Sequence, residues 1–181
     1  MAPAGSFESL AAALQGGADS VYFGIGKLNM RSRATANFAE EDLPEIVARC
    51  HETGAKAYLT LNIIVYDEEL ETVRNLCAAA KAAGVDAVIA SDLAVITHAH
   101  SIGLEVHMSV QANVCNMASV RFYAQYADVV VLARELTLGQ IRRIIDGIRD
   151  EGIRGPSGDL IRVEIFAHGA LCVAVSGKCH M

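Results

Sequence analysis

Lys56-Ala-Tyr-Leu-Thr-Leu-Asn-Ile-Ile64, followed by Glu68 to Ala83, by Gly84 and by Ala87-Val-Ile-Ala90, is the stretch that decides the fold. The first run is rich in aromatic and branched apolar residues and predicts a strand. From Glu68 the pattern changes period: Leu70, Val73, Cys77 and Ala80 fall on one stripe of a helix. Gly84 ends that helix, and the short apolar run Ala87 to Ala90 predicts the next strand. Strand, helix, strand at this spacing is the unit that joins parallel neighbours in a sheet.

The same unit recurs on both sides. Further strands are predicted at Met1 to Ala4, Ser20 to Phe23, Glu105 to Val110, Asp128 to Leu132 and Leu160 to Phe166. Helices are predicted at Phe7 to Leu14, Glu40 to Glu52, Leu93 to Ser101, Met117 to Tyr126 and Thr137 to Asp150, with Thr137 as an N-cap. The expected fold class is therefore α/β, a TIM-barrel-like (β/α) repeat of about seven strands and six helices. An open doubly wound sheet is the competitor, but Gly24-Ile25-Gly26 is followed by Lys27-Leu28-Asn29 and lacks the third glycine of a dinucleotide loop. A complete barrel takes roughly 250 residues. With 181 residues, the expectation is one partial barrel domain over residues 1–181, cut after its last strand with the downstream region missing. Its open edge is expected to promote self-association.

Composition narrows the function classes. Apolar residues make up 52% and charged residues 20%, with only 3 prolines, which excludes a disordered or linker-like chain. Lys plus Arg number 15 against 21 Asp plus Glu, a net charge of −6, so any contact with a nucleic-acid backbone has to be local. No apolar run has the length of a membrane span, and the chain opens Met-Ala-Pro-Ala-Gly, so a cytoplasmic location is expected. Cysteines stand at 50, 77, 115, 172 and 179, an odd set without disulfide-framework spacing. Cys50 and Cys77 lie on apolar helix stripes and are expected in the core, whereas Cys115 falls just past a strand end.

In a (β/α) barrel the working groups sit at the C-terminal ends of the strands. Those ends carry Asn62, Ser91-Asp92, Gln111 with Asn113, Arg134-Glu135, Glu164 and His168. Glu164, His168, Gln111 and Arg134 are the candidate catalytic set, expected to converge on one pocket. Asn62, Asn113 and Glu135 are candidate substrate-binding residues, as are Arg31 and Arg33, whose guanidinium groups suit carboxylate or phosphate. The competing reading of Arg31 and Arg33 is a solvated loop paired with Glu40 and Glu41. Cys172 and Cys179 form a candidate metal pair: thiolates suit zinc or an iron-sulfur cluster, although two supply half of a four-ligand set. The alternative is a pair of small buried residues.

Glu164-x-Phe166-x-x-Gly169-Ala170-Leu171-Cys172, continued by Gly177-x-Cys179, resembles the signature of the collagenase-like peptidase family U-thirty-two. Ala2-Pro3-Ala4-Gly5-Ser6, Gly17 to Gly24, Asn37-Phe38, Gln111-Ala112-Asn113 and Arg134-Glu135-Leu136 extend the resemblance along the chain. Met181 departs from it, standing where the family more often has Leu or Ile before a Ser. The resemblance implies an enzyme in the full-length protein: oxygen-independent, iron-sulfur-dependent hydroxylation of RNA (tRNA or rRNA) or of a ubiquinone precursor. It also implies a four-iron four-sulfur cluster with Cys172 and Cys179 as two of its ligands, and prephenate as co-substrate in the RNA branch. On that reading these 181 residues alone hold no cofactor and are inactive. The alternative implied by the same resemblance is a collagenase-like peptidase acting on a peptide, and a third is a non-catalytic binding scaffold. The residues offer no His-Glu-x-x-His and no Gly-x-Ser-x-Gly, and His98 and His100 are too close in sequence to share a helix face.

Overall fold

The structure is a computed structural model that describes residues 1–30, 37–169 and 174–178. Among these residues seven strands and six α-helices alternate, a (β/α) repeat of the TIM-barrel-like class. The chain divides into two compact units, Met1–Glu105 and Val106–Met181.

The first unit contains β1 (Ala2–Ala4), α1 (Phe7–Gln15), β2 (Ser20–Gly24), α2 (Leu43–Glu52), β3 (Lys56–Leu61), α3 (Leu70–Ala83), β4 (Ala87–Ala90) and α4 (Leu93–Ser101). Pairing is parallel throughout, β1 with β2, β2 with β3 and β3 with β4. All four residues of β4 are buried, as a parallel strand covered on both faces requires. Helix ends follow local chemistry. Ser6 and Ser9 cap α1 reciprocally, each side chain accepting from the other's backbone N–H. Gly84 closes α3 at φ +82°, a left-handed conformation that a side chain would strain. Cys50 and Cys77 are fully buried core residues, as their helix stripes predict.

The second unit contains β5, which begins at Glu105 and runs to Met108, then α5 (Met117–Tyr123), β6 (Val129–Val131), α6 (Leu138–Glu151) and β7 (Arg162–Glu164). β5 with β6 and β6 with β7 are again parallel. Thr137 caps α6 as predicted, within a box in which Gln140 N–H donates to Thr137 Oγ1 and Thr137 N–H to Gln140 Oε1.

Strands are shorter than their apolar runs, because the residues at their ends are drawn into loops. β3 stops at Leu61 and the Asn62 side chain turns to the backbone of Met30. β5 stops at Met108, where Ser109 caps a 3-10 turn over Val110–Ala112. Leu160 leaves β7 to form an antiparallel bridge with Arg154. At the N-terminal strand ends, aspartates tie the chain together. Asp86 accepts from Ala57 N–H at 2.8 Å and from Lys56 Nζ at 2.7 Å, and lies 2.8 Å from His51 Nε2. Asp128, 7% exposed, accepts from Ser157 N–H at 2.9 Å.

Candidate functional site

In the second unit the strand register sets which side chains share a face. His107 pairs with Val129 and Val129 with Arg162, while Val131 pairs with Glu164. Side chains alternate along a strand, so His107, Arg162 and Glu164 stand on one face of this sheet. His107 is 3% exposed. Glu164 is half-buried, and burial pushes its carboxyl above the ordinary value, with His107 pulling the other way. This arrangement makes Glu164 a carboxyl able to hold a proton nearer neutrality than a surface glutamate. Its neighbour His107 was not singled out by sequence; only a two-residue alternation of buried and polar positions along β5 marks it.

Past the strands, the loops assemble a second group. Ser109 Oγ accepts from Gln111 N–H, and Asn113 closes the turn at φ +50°, a left-handed position that asparagine tolerates. The chain then reaches Val114, which bridges Leu132, and Ala133 N–H donates to Val114 O at 2.9 Å. This seam carries Arg134 and Glu135 to the segment 174–178. Arg134 N–H donates to Ser176 Oγ at 3.2 Å, Arg134 Nη2 donates to Ala174 O at 2.7 Å, and Ser176 N–H donates to Glu135 Oε1 at 2.8 Å. The Ser176 backbone N–H is the main influence holding the Glu135 carboxyl below the ordinary range. Gly177 fits directly over the preceding turn: a Cβ there would lie 2.7 Å from Gln111 O and 3.0 Å from Asn113 Cβ.

Gln111, Asn113, Arg134 and Glu135 are thus brought together around 174–178. Glu164 joins their neighbourhood through its backbone, its carbonyl accepting from Leu132 N–H at 3.0 Å. His168 stands exposed in the loop after β7 and is not drawn into this hydrogen-bonded group. Ser176, 2% exposed, is a further member that no motif announced.

In the first unit, Asn62 is half-buried and its Oδ1 accepts from Met30 N–H at 3.1 Å. Asp92 performs a similar service, accepting from Val65 N–H and from Ala94 N–H at the start of α4. Asn62, expected to bind substrate, braces the loop that leads toward Arg31. Arg31, Arg33, Cys172 and Cys179 lie outside the described residues. Among the described residues no cluster of three or more His, Cys, Asp or Glu side chains is placed to hold a metal ion. Cys115 is exposed, with Asn116 Nδ2 donating to its Sγ at 3.6 Å. No helix among the described residues is long and apolar enough to cross a membrane.

Comparison with known proteins gives a consistent result. The sequence profile of Peptidase family U32 matches residues 5–181. A protein named Collagenase from Porphyromonas gingivalis is 53% identical over 181 residues, covering 100% of this chain and 44% of that protein. The tRNA hydroxylation protein P of Escherichia coli is 36% identical over 183 residues, covering 99% of this chain and 38% of that protein. This chain therefore spans less than half the length of these relatives. Among solved structures, the U32 peptidase Mk0906 superposes with a TM-score of 0.68 at 14% identity, covering 93% of this chain and 92% of that one. That likeness supports the shared fold.

Proposed function

Because the chain belongs to Peptidase family U32, we propose that it forms the barrel portion of a longer enzyme that hydroxylates RNA bases without oxygen, using an iron-sulfur cluster. The observation that carries this reading is the similarity to the tRNA hydroxylation protein P of Escherichia coli, 36% identical over 183 residues. In the sequence Cys172 and Cys179 are separated by six residues. Two thiolates at that spacing suit half the ligand set of a cubane cluster, and the remaining ligands come from sequence outside these residues. When bound, such a cluster supplies one-electron chemistry.

This chain's own residues take other roles. Glu164, with its raised proton affinity, accepts or delivers a proton, and buried His107 on the same face tunes it. Gln111 and Asn113 present amide groups for hydrogen bonding to a base edge. Arg31 and Arg33 bind an anionic group, either the substrate phosphate or the carboxylates of prephenate as co-substrate. The overall charge of −6 leaves RNA binding to such local groups. A ubiquinone precursor is the alternative acceptor, and the location proposed is the cytoplasm.

A second reading, collagenase-like proteolysis, is favoured by one observation, the 53% identity with the Collagenase of Porphyromonas gingivalis. One experiment separates the two. The full-length protein is reconstituted anaerobically with iron and sulfide, then assayed on unmodified tRNA and rRNA with prephenate, and on gelatin. Hydroxylated nucleoside and broad visible absorption, both abolished by Cys172→Ala or Cys179→Ala, are expected. Absence of iron uptake, or gelatin cleavage that survives both substitutions, would overturn the hydroxylation reading.

A further inference from the structure

We infer that the flank of α6 turned away from α5 is a docking surface for one further amphipathic helix of the same polypeptide, the helix that follows β7 in the longer protein. The inference rests on one part of the proposed function, that this chain is a portion of a longer protein. Consecutive helices of the repeat pack side by side: α1 against α2, α2 against α3 and α3 against α4 in the first unit, and α5 against α6 in the second. Among the described residues no helix follows β7 to take the corresponding place beyond α6. This chain spans less than half the length of its matched relatives, which leaves ample sequence to supply one.

The two flanks of α6 differ in what covers them. On one, Gly147 lies so close to α5 that a Cβ at 147 would come within 2.9 Å of Met117 Cε. Ile144 and Ile148 are buried beneath the helix. Leu138 precedes Gly147 by 147 − 138 = 9 residues, about 2.5 turns at about 3.6 residues per turn, which places it on the opposite side from α5. It is 79% exposed, the highest value of any large apolar residue among the described ones. Ile141 and Ile145 follow at i+3 and i+7, both only half-buried. With Arg142, Asp146 and Arg149 these three line an open groove of about 510 Å³. The rest of the exposed surface of α6 is polar, as at Arg143 and Asp150, so the apolar strip is confined to this flank. A contiguous apolar strip with a charged border marks a surface that another element covers, and its spacing is the one a neighbouring helix meets ridge into groove. Arg142 and Arg149 are exposed at the border, with Asp146 3.9 Å from Arg149 as the single negative charge, so the helix that fits carries acidic residues beside its apolar stripe. A second copy docking through the same flank would set arginines against arginines, which disfavours it.

The test uses the full-length protein with the photo-crosslinking residue p-benzoylphenylalanine in place of Leu138 or, as a control, in place of Arg143, which is exposed away from the groove. Irradiation is expected to join position 138 to a peptide C-terminal to Met181 of the same polypeptide, at a yield about tenfold above that from position 143, read by mass spectrometry of the monomer band. Leu138→Cys is the smaller change, in case the bulky group displaces the partner helix. Its thiol is expected to react with iodoacetamide about tenfold more slowly than the same thiol in urea-denatured protein, because a covered position reacts only when it opens. Labelling at the denatured rate, crosslinks confined to residues 1–181, or crosslinks to a second copy would overturn the inference. A protein that gives both expected results but takes up no iron would defeat the hydroxylation reading and leave the helix contact standing.

Discussion

Asn29 fills the space that a side chain at Gly24 would need: a Cβ at position 24 would lie 2.4 Å from Asn29 Cγ. Asn29 is fully buried and its Nδ2 donates to Ile25 O and Gly26 O, so the amide cannot swing away without losing those bonds. Gly24→Ala is expected to destabilise the chain by about 1–3 kcal/mol, the usual result of forcing extra atoms into a packed site. A denaturant midpoint indistinguishable from wild type would contradict it.

Asp86 should dominate part of the acid transition. Burial pushes its carboxyl up, but the hydrogen bonds from Ala57 N–H, Lys56 and His51 outweigh burial and hold it below its ordinary 3.8. A lowered folded value means stability present above 3.8 and lost as the pH falls through the folded value. Asp86→Ala leaves Ala57 N–H without its acceptor, and should cost about 1–3 kcal/mol at neutral pH. The deficit should shrink below pH 3.8, as urea denaturation at a series of pH values will show.

Glu164 carries the opposite sign. Its raised folded value means that stability is fully present below the ordinary 4.5 and declines as the pH rises through the folded value. Glu164→Gln removes the half-buried charge and is expected to stabilise the protein at pH 8 relative to pH 4. Wild type and variant differing by the same amount at both pH values would refute the assignment. On the proposed function, the same substitution in the full-length protein is expected to lower turnover by about 100-fold or more, the scale of a lost proton-transfer group.

Thiol reactivity should separate the cysteines by burial. Burial pushes Cys77 up to about 11, and burial with the nearby Asp86 charge does the same for Cys50. At pH 8 each is thiolate in about one part in a thousand. Cys115 is exposed, and iodoacetamide at pH 8 is expected to label it well before either. Mass spectrometry of timed digests will show the order, and early labelling of Cys50 or Cys77 would place them outside the core.

Gly177→Ala should dislodge the 174–178 turn, since the new Cβ would meet the backbone oxygen of Gln111 at 2.7 Å and the position requires φ +76°. Faster amide exchange across 174–178, with the rest of the chain unchanged, is the expected signature. Uniform protection would show that the turn does not depend on that close contact.

The alternation of strands and helices was legible in the amino-acid sequence, because period and punctuation are local properties: the Leu70, Val73, Cys77 and Ala80 stripe makes α3, and Gly84 ends it. The capping of α6 by Thr137 is local for the same reason. The strand ends were not legible, because whether Asn62 extends β3 or reaches back to Met30 is decided by a partner 32 residues away. Nor did position in the chain reveal the tasks of the polar residues at those ends. In the sequence Arg134 reads as a catalytic candidate and Glu135 as a substrate-binding one; the fold brings Ser176 within reach of both, and both hold a loop. His107 and Glu164 are 57 positions apart and meet electrostatically only because the register of β5, β6 and β7 puts them on one face. Spacing along the chain dictates which elements form, and only the folded arrangement decides which side chains are occupied by other residues and which remain to do chemistry.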